Sequence, residues 1–178
     1  GRAPAPEGLA LDPDLRWGWM FGLAASGRAD AARIEEEAAR DATSSGRTAR
    51  LAALAARPEA SVRADAWRAA WDDPTLTNDH LDAVIRGVRA GASRPLVAAF
   101  DDDYFARILP VWRSRSIEIA ARLVRGLFPA TEDTAAVDAW LAAHPDAPGS
   151  LRRIVLEERD HLARDLRGRA AQAELEAR

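Results

Sequence analysis

The chain has 178 residues, 48% of them hydrophobic, and a formal net charge of −3. That length suits one compact domain that hides about 70% of its unfolded surface on folding. It contains no cysteine, which excludes disulfides and thiolate metal sites, and its mildly acidic balance does not indicate a strong nucleic-acid binder.

All 25 basic residues are arginine, a bias expected from GC-rich coding rather than from function. Much of the apolar fraction is alanine, so burial energy falls on leucine, phenylalanine and the six tryptophans, while alanine lets helices approach closely. No apolar run approaches the ~18 residues of a membrane span. The opening GRAPAPEG lacks the apolar core of a signal peptide. A cytoplasmic location is therefore expected. Met20 is the only methionine, so a chain opening at Gly1 is expected to be a piece of a longer protein.

Period-two alternation is nearly absent and helical spacing recurs throughout. Asp12-Pro13 predicts a capped helix start, with the helix running through Trp17 and Phe21 toward Gly27. A second helix over 30–41 places Ala31, Ile34 and Ala38 on one face, with Glu35 to Glu37 pointing mostly outward. Ser44-Ser45-Gly46 is expected to break the chain before a third helix that ends near Pro58. A helix over 59–71 carries Val62, Ala66 and Ala70, with Trp67 and Trp71 beside them. Asp72-Asp73-Pro74 ends it.

Thr77 or Asn78 caps the next helix, where Leu81, Val84, Ile85 and Val88 follow the i, i+3, i+4, i+7 pattern. Gly87 inside it costs about 1 kcal/mol relative to alanine, which predicts tight packing there. Residues 91–95 read as a loop. The following helix carries Phe105, Ile108, Leu109 and Trp112, and Pro110 is expected to kink it or end it early. Ile117, Ala120, Ala121, Val124 and Phe128 line another helix, which Pro129 terminates. Val137, Trp140, Leu141 and His144 mark a shorter one closed by Pro145.

A long last helix from about residue 150 turns Leu151, Val155, Leu162 and Leu166 inward. Asp160 with Arg164, and Asp165 with Arg169, form acid-first i, i+4 pairs. Residues 1–11 and 170–178 are expected to be poorly ordered. The fold class expected is all-α, about eight helices in an irregular solenoid of stacked antiparallel pairs resembling HEAT or armadillo arrays, within a single domain over 1–178. No clean period near the ~40–47 residues of those repeats is present.

The residue pattern offers no catalytic, cofactor-binding or metal site. His80, His144 and His161 each lack a second histidine within helical reach, so they read as surface or packing residues rather than zinc ligands. Asp101-Asp102-Asp103 lacks the alternating carboxylates and the glycine turn of a calcium loop; it suits the positive end of a helix macrodipole. There is no Gly-rich phosphate loop and no Gly-x-Ser-x-Gly. Arg113 and Arg115 beside Trp112 would suit stacking and phosphate contacts. The acidic Glu157, Glu158, Asp160 and Asp165 interrupt any continuous positive track, so ion-paired, solvated faces are expected.

The tract from Phe100 to Pro129 is distinctive. Tyr104-Phe105, Val111-Trp112, Arg115, Glu118-Ile119-Ala120 and Gly126-Leu127-Phe128-Pro129 resemble, in order and spacing, the C-terminal helical domain of actinobacterial aminopeptidase N. That domain is of the endoplasmic-reticulum-aminopeptidase type, and the family consists of zinc-dependent gluzincin exopeptidases. Other pieces continue the likeness: Leu15-Arg16-Trp17 with Leu23-Ala24-Ala25; Ile34, Glu37, Asp41, Thr43 and Gly46; Ala66-Trp67, Leu76, Asn78 and Gly87; Val137-Asp138; and Leu151-Arg152-Arg153 with Glu158, Arg159 and Asp160. Phe100 stands where the family has tyrosine, and Val88 where phenylalanine is common.

The resemblance implies an α-solenoid cap that shapes substrate access to a zinc site held elsewhere in the same polypeptide. Its partners would be that catalytic domain and the peptide substrates, with no nucleic acid and no membrane. It implies zinc in the parent enzyme and none in this fragment. An independent solenoid scaffold that binds a protein partner is the alternative reading.

Overall fold

The computed structural model describes residues 12–91 and 94–177. Among them every regular element is helical, and the chain forms two compact units, Gly1–Leu96 and Val97–Arg178. The expectations for residues 1–11, 92–93 and 178 lie outside the described residues.

The first unit holds α1 (Pro13–Ala25), α2 (Ala31–Arg40), α3 (Ser44–Ala56), α4 (Ala60–Asp72) and α5 (Asn78–Val88). Asp12 caps α1 by accepting from the Leu15 N–H at 2.7 Å, and Pro13 stands in the first turn as predicted. Of the two candidates for α5, Thr77 is the cap. The break expected at Ser44-Ser45-Gly46 lies earlier, at residues 41–43. Thr43 accepts from the Gly46 N–H at 3.0 Å, so those three residues form the first turn of α3 rather than a loop.

The most extensive packing joins α3 to α5 and α1 to α3, ahead of the contacts with its sequence neighbours α2 and α4. Alanine makes this central position possible. Ala53 and Ala56 face a core of Trp17, Met20, Ala24, Ala29 and Ile34, while Ala52 and Ala55 meet α5 at Gly87. Trp67 and Trp71 on α4 are both buried with ring centroids 5.8 Å apart, tilted at 58°.

Between the predicted loop and α7 lies a short helical turn, α6 (Arg94–Val97), followed by a 3-10 turn over Ala98–Phe100. The loop is therefore shorter than expected, because Pro95 suits a first helical turn. The second unit contains α7 (Asp101–Ser114), α8 (Ile117–Gly126), α9 (Ala135–Ala143) and α10 (Gly149–Glu176). The helix α7 does not end early at Pro110 but continues to Ser114. Pro110 and Ala106 both lie on its exposed side, so water can satisfy the carbonyl that proline leaves without a donor, while Val111 and Trp112 stay buried.

Ile117, expected on an inward stripe, is 68% exposed in the first turn of α8. That helix stops at Gly126, ahead of Phe128, because the residue before Pro129 is steered away from helical geometry. Its buried positions are Ala120, Leu123 and Val124. The helix α8 packs against both α7 and α10, and α9 packs on α10. Leu151, Ile154, Val155 and Leu162 are the buried face of α10, and every residue from 167 to 177 is exposed. The expected Asp160–Arg164 and Asp165–Arg169 pairs give way to others: Asp160 lies 3.5 Å from Arg159, and Arg169 lies 3.6 Å from Glu132.

A Cβ at Gly87 would sit 2.4 Å from the Ala55 Cβ and 2.7 Å from the Ala52 carbonyl, whereas nothing lies within 4 Å of a Cβ at Gly18 or Gly22. Gly87→Ala is therefore expected to destabilise by about 1–3 kcal/mol through overpacking. Gly22→Ala is expected to stabilise the chain by roughly 0.5–1 kcal/mol through helix propensity. Urea midpoints of the two variants moving in the same direction would contradict the packing assigned to α3 and α5.

Candidate functional site

Among the described residues, the polar side chains buried in the first unit are Arg63, Glu37 and Asp41. Arg63 is 1% exposed and occupies the inward stripe of α4 with Ala66, Trp67 and Ala70. Its guanidinium meets backbone carbonyls only, from the ends of two helices. Nε donates to Arg57 O at 3.1 Å and Nη2 to Ala56 O at 2.6 Å, at the end of α3. Nη1 donates to Gly87 O at 2.7 Å and to Val88 O, and Nη2 to Ala90 O at 3.0 Å, at the end of α5. Terminal carbonyls carry the negative end of the helix macrodipole, so they can hold this cation without a carboxylate. Desolvation lowers its pKa, yet a guanidinium stays protonated in proteins.

Glu37 and Asp41 tie the first three helices together. Arg16 Nε donates to Glu37 at 2.7 Å, and Trp17 Nε1 donates to Asp41 at 2.8 Å. The Thr43 hydroxyl donates to Asp41 at 2.6 Å. That hydroxyl bond, and then the indole N–H, hold the Asp41 carboxyl below its ordinary value. Gly46 belongs to the same turn, since a Cβ there would lie 2.4 Å from the Asp41 carbonyl.

An open groove of about 540 Å³ runs between α3 and α5. Ser44, Ser45 and Thr48 line it from α3, and Asp79, Asp82 and Arg86 from α5. The Arg86 guanidinium also lies 4.1 Å from the centre of the Phe21 ring. Hydroxyls, carboxylates and one cation along it suit reversible hydrogen bonding.

In the second unit Tyr104 is fully buried and donates its hydroxyl to Val124 O at 2.8 Å. Phe105 and Phe128 meet its ring edge-on, at 5.1 and 5.8 Å. Burial, and then the charge of Glu158, push its pKa well up. Arg152 Nη1 donates to Leu141 O at 2.9 Å and His144 O at 2.6 Å, closing α9.

The histidines stay apart. The backbone N–H of His80 bonds Thr77 in the first turn of α5. His144 stacks on Trp140 at 4.6 Å, and the exposed His161 lies 3.5 Å from Glu158. Among the described residues no three His, Cys, Asp or Glu side chains converge on a metal position. Asp101, Asp102 and Asp103 fill the first turn of α7, where Asp103 accepts from Arg107 at 2.8 Å. Trp112 is buried and presents no stacking platform beside Arg113.

Sequence reasoning missed Arg63, the buried bonds of Glu37 and Asp41, and the groove. The signal for the first was its spacing: residues 63, 66, 67 and 70 follow the helical stripe, with an arginine in an apolar position.

The chain belongs to the ERAP1-like C-terminal domain family, whose model matches residues 3–164. It is 42% identical over 172 residues to an aminopeptidase N of Streptomyces lividans, across 94% of this chain and 20% of that protein. It therefore spans about a fifth of the length of that relative. No described helix is long and apolar enough to cross a membrane.

Arg63→Met is expected to cost at least about 3 kcal/mol, since it strands several buried carbonyls. Arg68→Ala, on an exposed ion pair with Asp65, should stay within about 0.5 kcal/mol. Equal urea midpoints for the two variants would contradict the role given to Arg63.

The lowered Asp41 pKa fixes a sign. Its contribution is complete above the ordinary aspartate value and fades as pH falls through the depressed folded value. The melting-temperature gap between the wild type and Asp41→Asn should therefore narrow as the solution is acidified through that window. A gap that widens there would reverse the assignment.

Proposed function

We propose that this chain is the C-terminal helical part of a larger zinc aminopeptidase, an enzyme that removes N-terminal residues from peptides, and that its own role is non-catalytic. Residues 1–178 act as one cap domain that shapes the substrate cavity and controls access to it. The 42% identity across 94% of the chain to an aminopeptidase N carries this reading. Its partner is the catalytic part of the same polypeptide, where the peptide is cut, and the parent enzyme works in the cytoplasm.

The donor set of this chain does not fit zinc, because its histidines lie on separate elements and no three ligand-type side chains converge among the described residues. No step of hydrolysis is therefore assigned to residues here. The position of α3 between α1 and α5 supports reading the helices as an irregular α-solenoid.

The purified 178-residue chain is expected to retain only sub-stoichiometric zinc by elemental analysis and to leave aminoacyl-anilide substrates intact. Sustained, chelator-sensitive hydrolysis by the chain alone overturns the non-catalytic role. The natural reading frame is expected to carry His-Glu-x-x-His well ahead of this region. A frame that opens near Met20 overturns the parentage and favours an independent scaffold.

A further inference from the structure

The helix α1 is apolar on both sides. Trp17, Met20 and Ala24 form its buried stripe. At 3.6 residues per turn, Leu15, Gly18, Trp19 and Gly22 share the opposite side. That side carries no charge, and Trp19 on it is 47% exposed. Asp14 and Arg16 lie between the two apolar sides, and a helix with apolar side chains on opposite sides is normally covered on both.

The two glycines strengthen the point. Elsewhere in this unit a helical glycine answers a close approach, as Gly87 does to Ala55 and Gly46 to Asp41. Gly18 and Gly22 have nothing within 4 Å of a Cβ, so their disadvantage against alanine is not offset by packing among the described residues. A neighbouring backbone lying close alongside Trp19 would offset it. Leu156, another exposed apolar side chain, stands among Arg152, Arg153, Arg159 and Asp160, its neighbours at helical spacing.

We propose that the outward face of α1, with Trp19 as its anchor, is the surface on which the preceding part of the same polypeptide docks. This rests on the parentage proposed above and adds the place of contact. The family is a C-terminal domain, and the Streptomyces lividans relative is about five times as long as the matched region. The remaining polypeptide then joins ahead of residue 1, and α1 is the first described helix after that join. An uncharged face with a large aromatic flanked by glycines suits an apolar strip whose backbone can come close, with the indole filling a desolvated pocket.

Hydroxyl-radical footprinting of the natural full-length polypeptide and of the 178-residue chain tests this, with oxidation read at each tryptophan by mass spectrometry. Trp19 oxidation is expected to fall at least about fivefold in the full-length form, as for a half-exposed tryptophan entering a closed interface. Trp17, 5% exposed, should react slowly in both and serves as the internal reference. Equal Trp19 oxidation in the two forms overturns the proposal. Slow Trp19 oxidation already in the 178-residue chain also overturns it, since a second copy or the chain itself would then cover the face.

Aminopeptidase assay of the same full-length sample separates the two readings. Activity with Trp19 unprotected removes the docking face alone. Protection of Trp19 in an inactive, zinc-free polypeptide removes the enzymatic parentage and leaves the docking face standing.

Discussion

The first unit depends on how helix C-termini are closed inside a core. The last carbonyls of a helix have no partner within it, and burying them bare is costly. Here α3 and α5 end beside one another, and Arg63 on α4 answers both ends with one guanidinium. The planar fork serves several acceptors at once, which an ammonium with three donors cannot match. Bringing the two ends together lets α3 and α5 lie close along their length. That closeness is what Gly87 and the alanines of α3 accommodate.

The second unit solves the same problem with other residues. Arg152 on α10 closes α9, and the Tyr104 hydroxyl satisfies the Val124 carbonyl from within the core. Ion pairs between Arg125 and Glu157, and between Arg159 and Asp138, then join neighbouring helices near the surface. Many residues that carried the family resemblance occupy such positions: Arg16, Trp17, Glu37, Asp41, Thr43, Gly46, Gly87, Tyr104, Asp138, Arg152 and Arg159. They cap, pair or make room at helix junctions.

What was legible follows from locality. Asp12, Pro13, Thr77 and the α5 stripe depend on neighbours within one turn, so the sequence states them directly. Gly87 was legible because an interior helical glycine requires a reason. The groove depends on α3 and α5 lying side by side, a tertiary fact without a local signature. Arg63 was passed over, and Glu37 was expected to point mostly outward, although each sits on its buried stripe. At Pro110 a local rule predicted a kink or an early end. The early end does not occur, because tertiary burial of Val111 and Trp112 carries the helix past a proline on the wet side.

The orientation of α1 shows polar bonds reinforcing what burial selects. Rolling the helix about its axis would exchange Trp17, Met20 and Ala24 for a side that holds two glycines. Two bonds add to that preference. Trp17 gives its indole N–H to a carboxylate on the C-terminal side of α2, and Arg16 reaches Glu37 one turn earlier on the same helix. A roll would take Arg16 from Glu37 and the Trp17 indole from Asp41, leaving these buried carboxylates only Arg40 and Thr43. Trp17 and Trp19 are thereby assigned different fates although they stand two positions apart. The pair of anions on α2 thus reinforces not only the inner packing of α1 but also which of its sides faces outward.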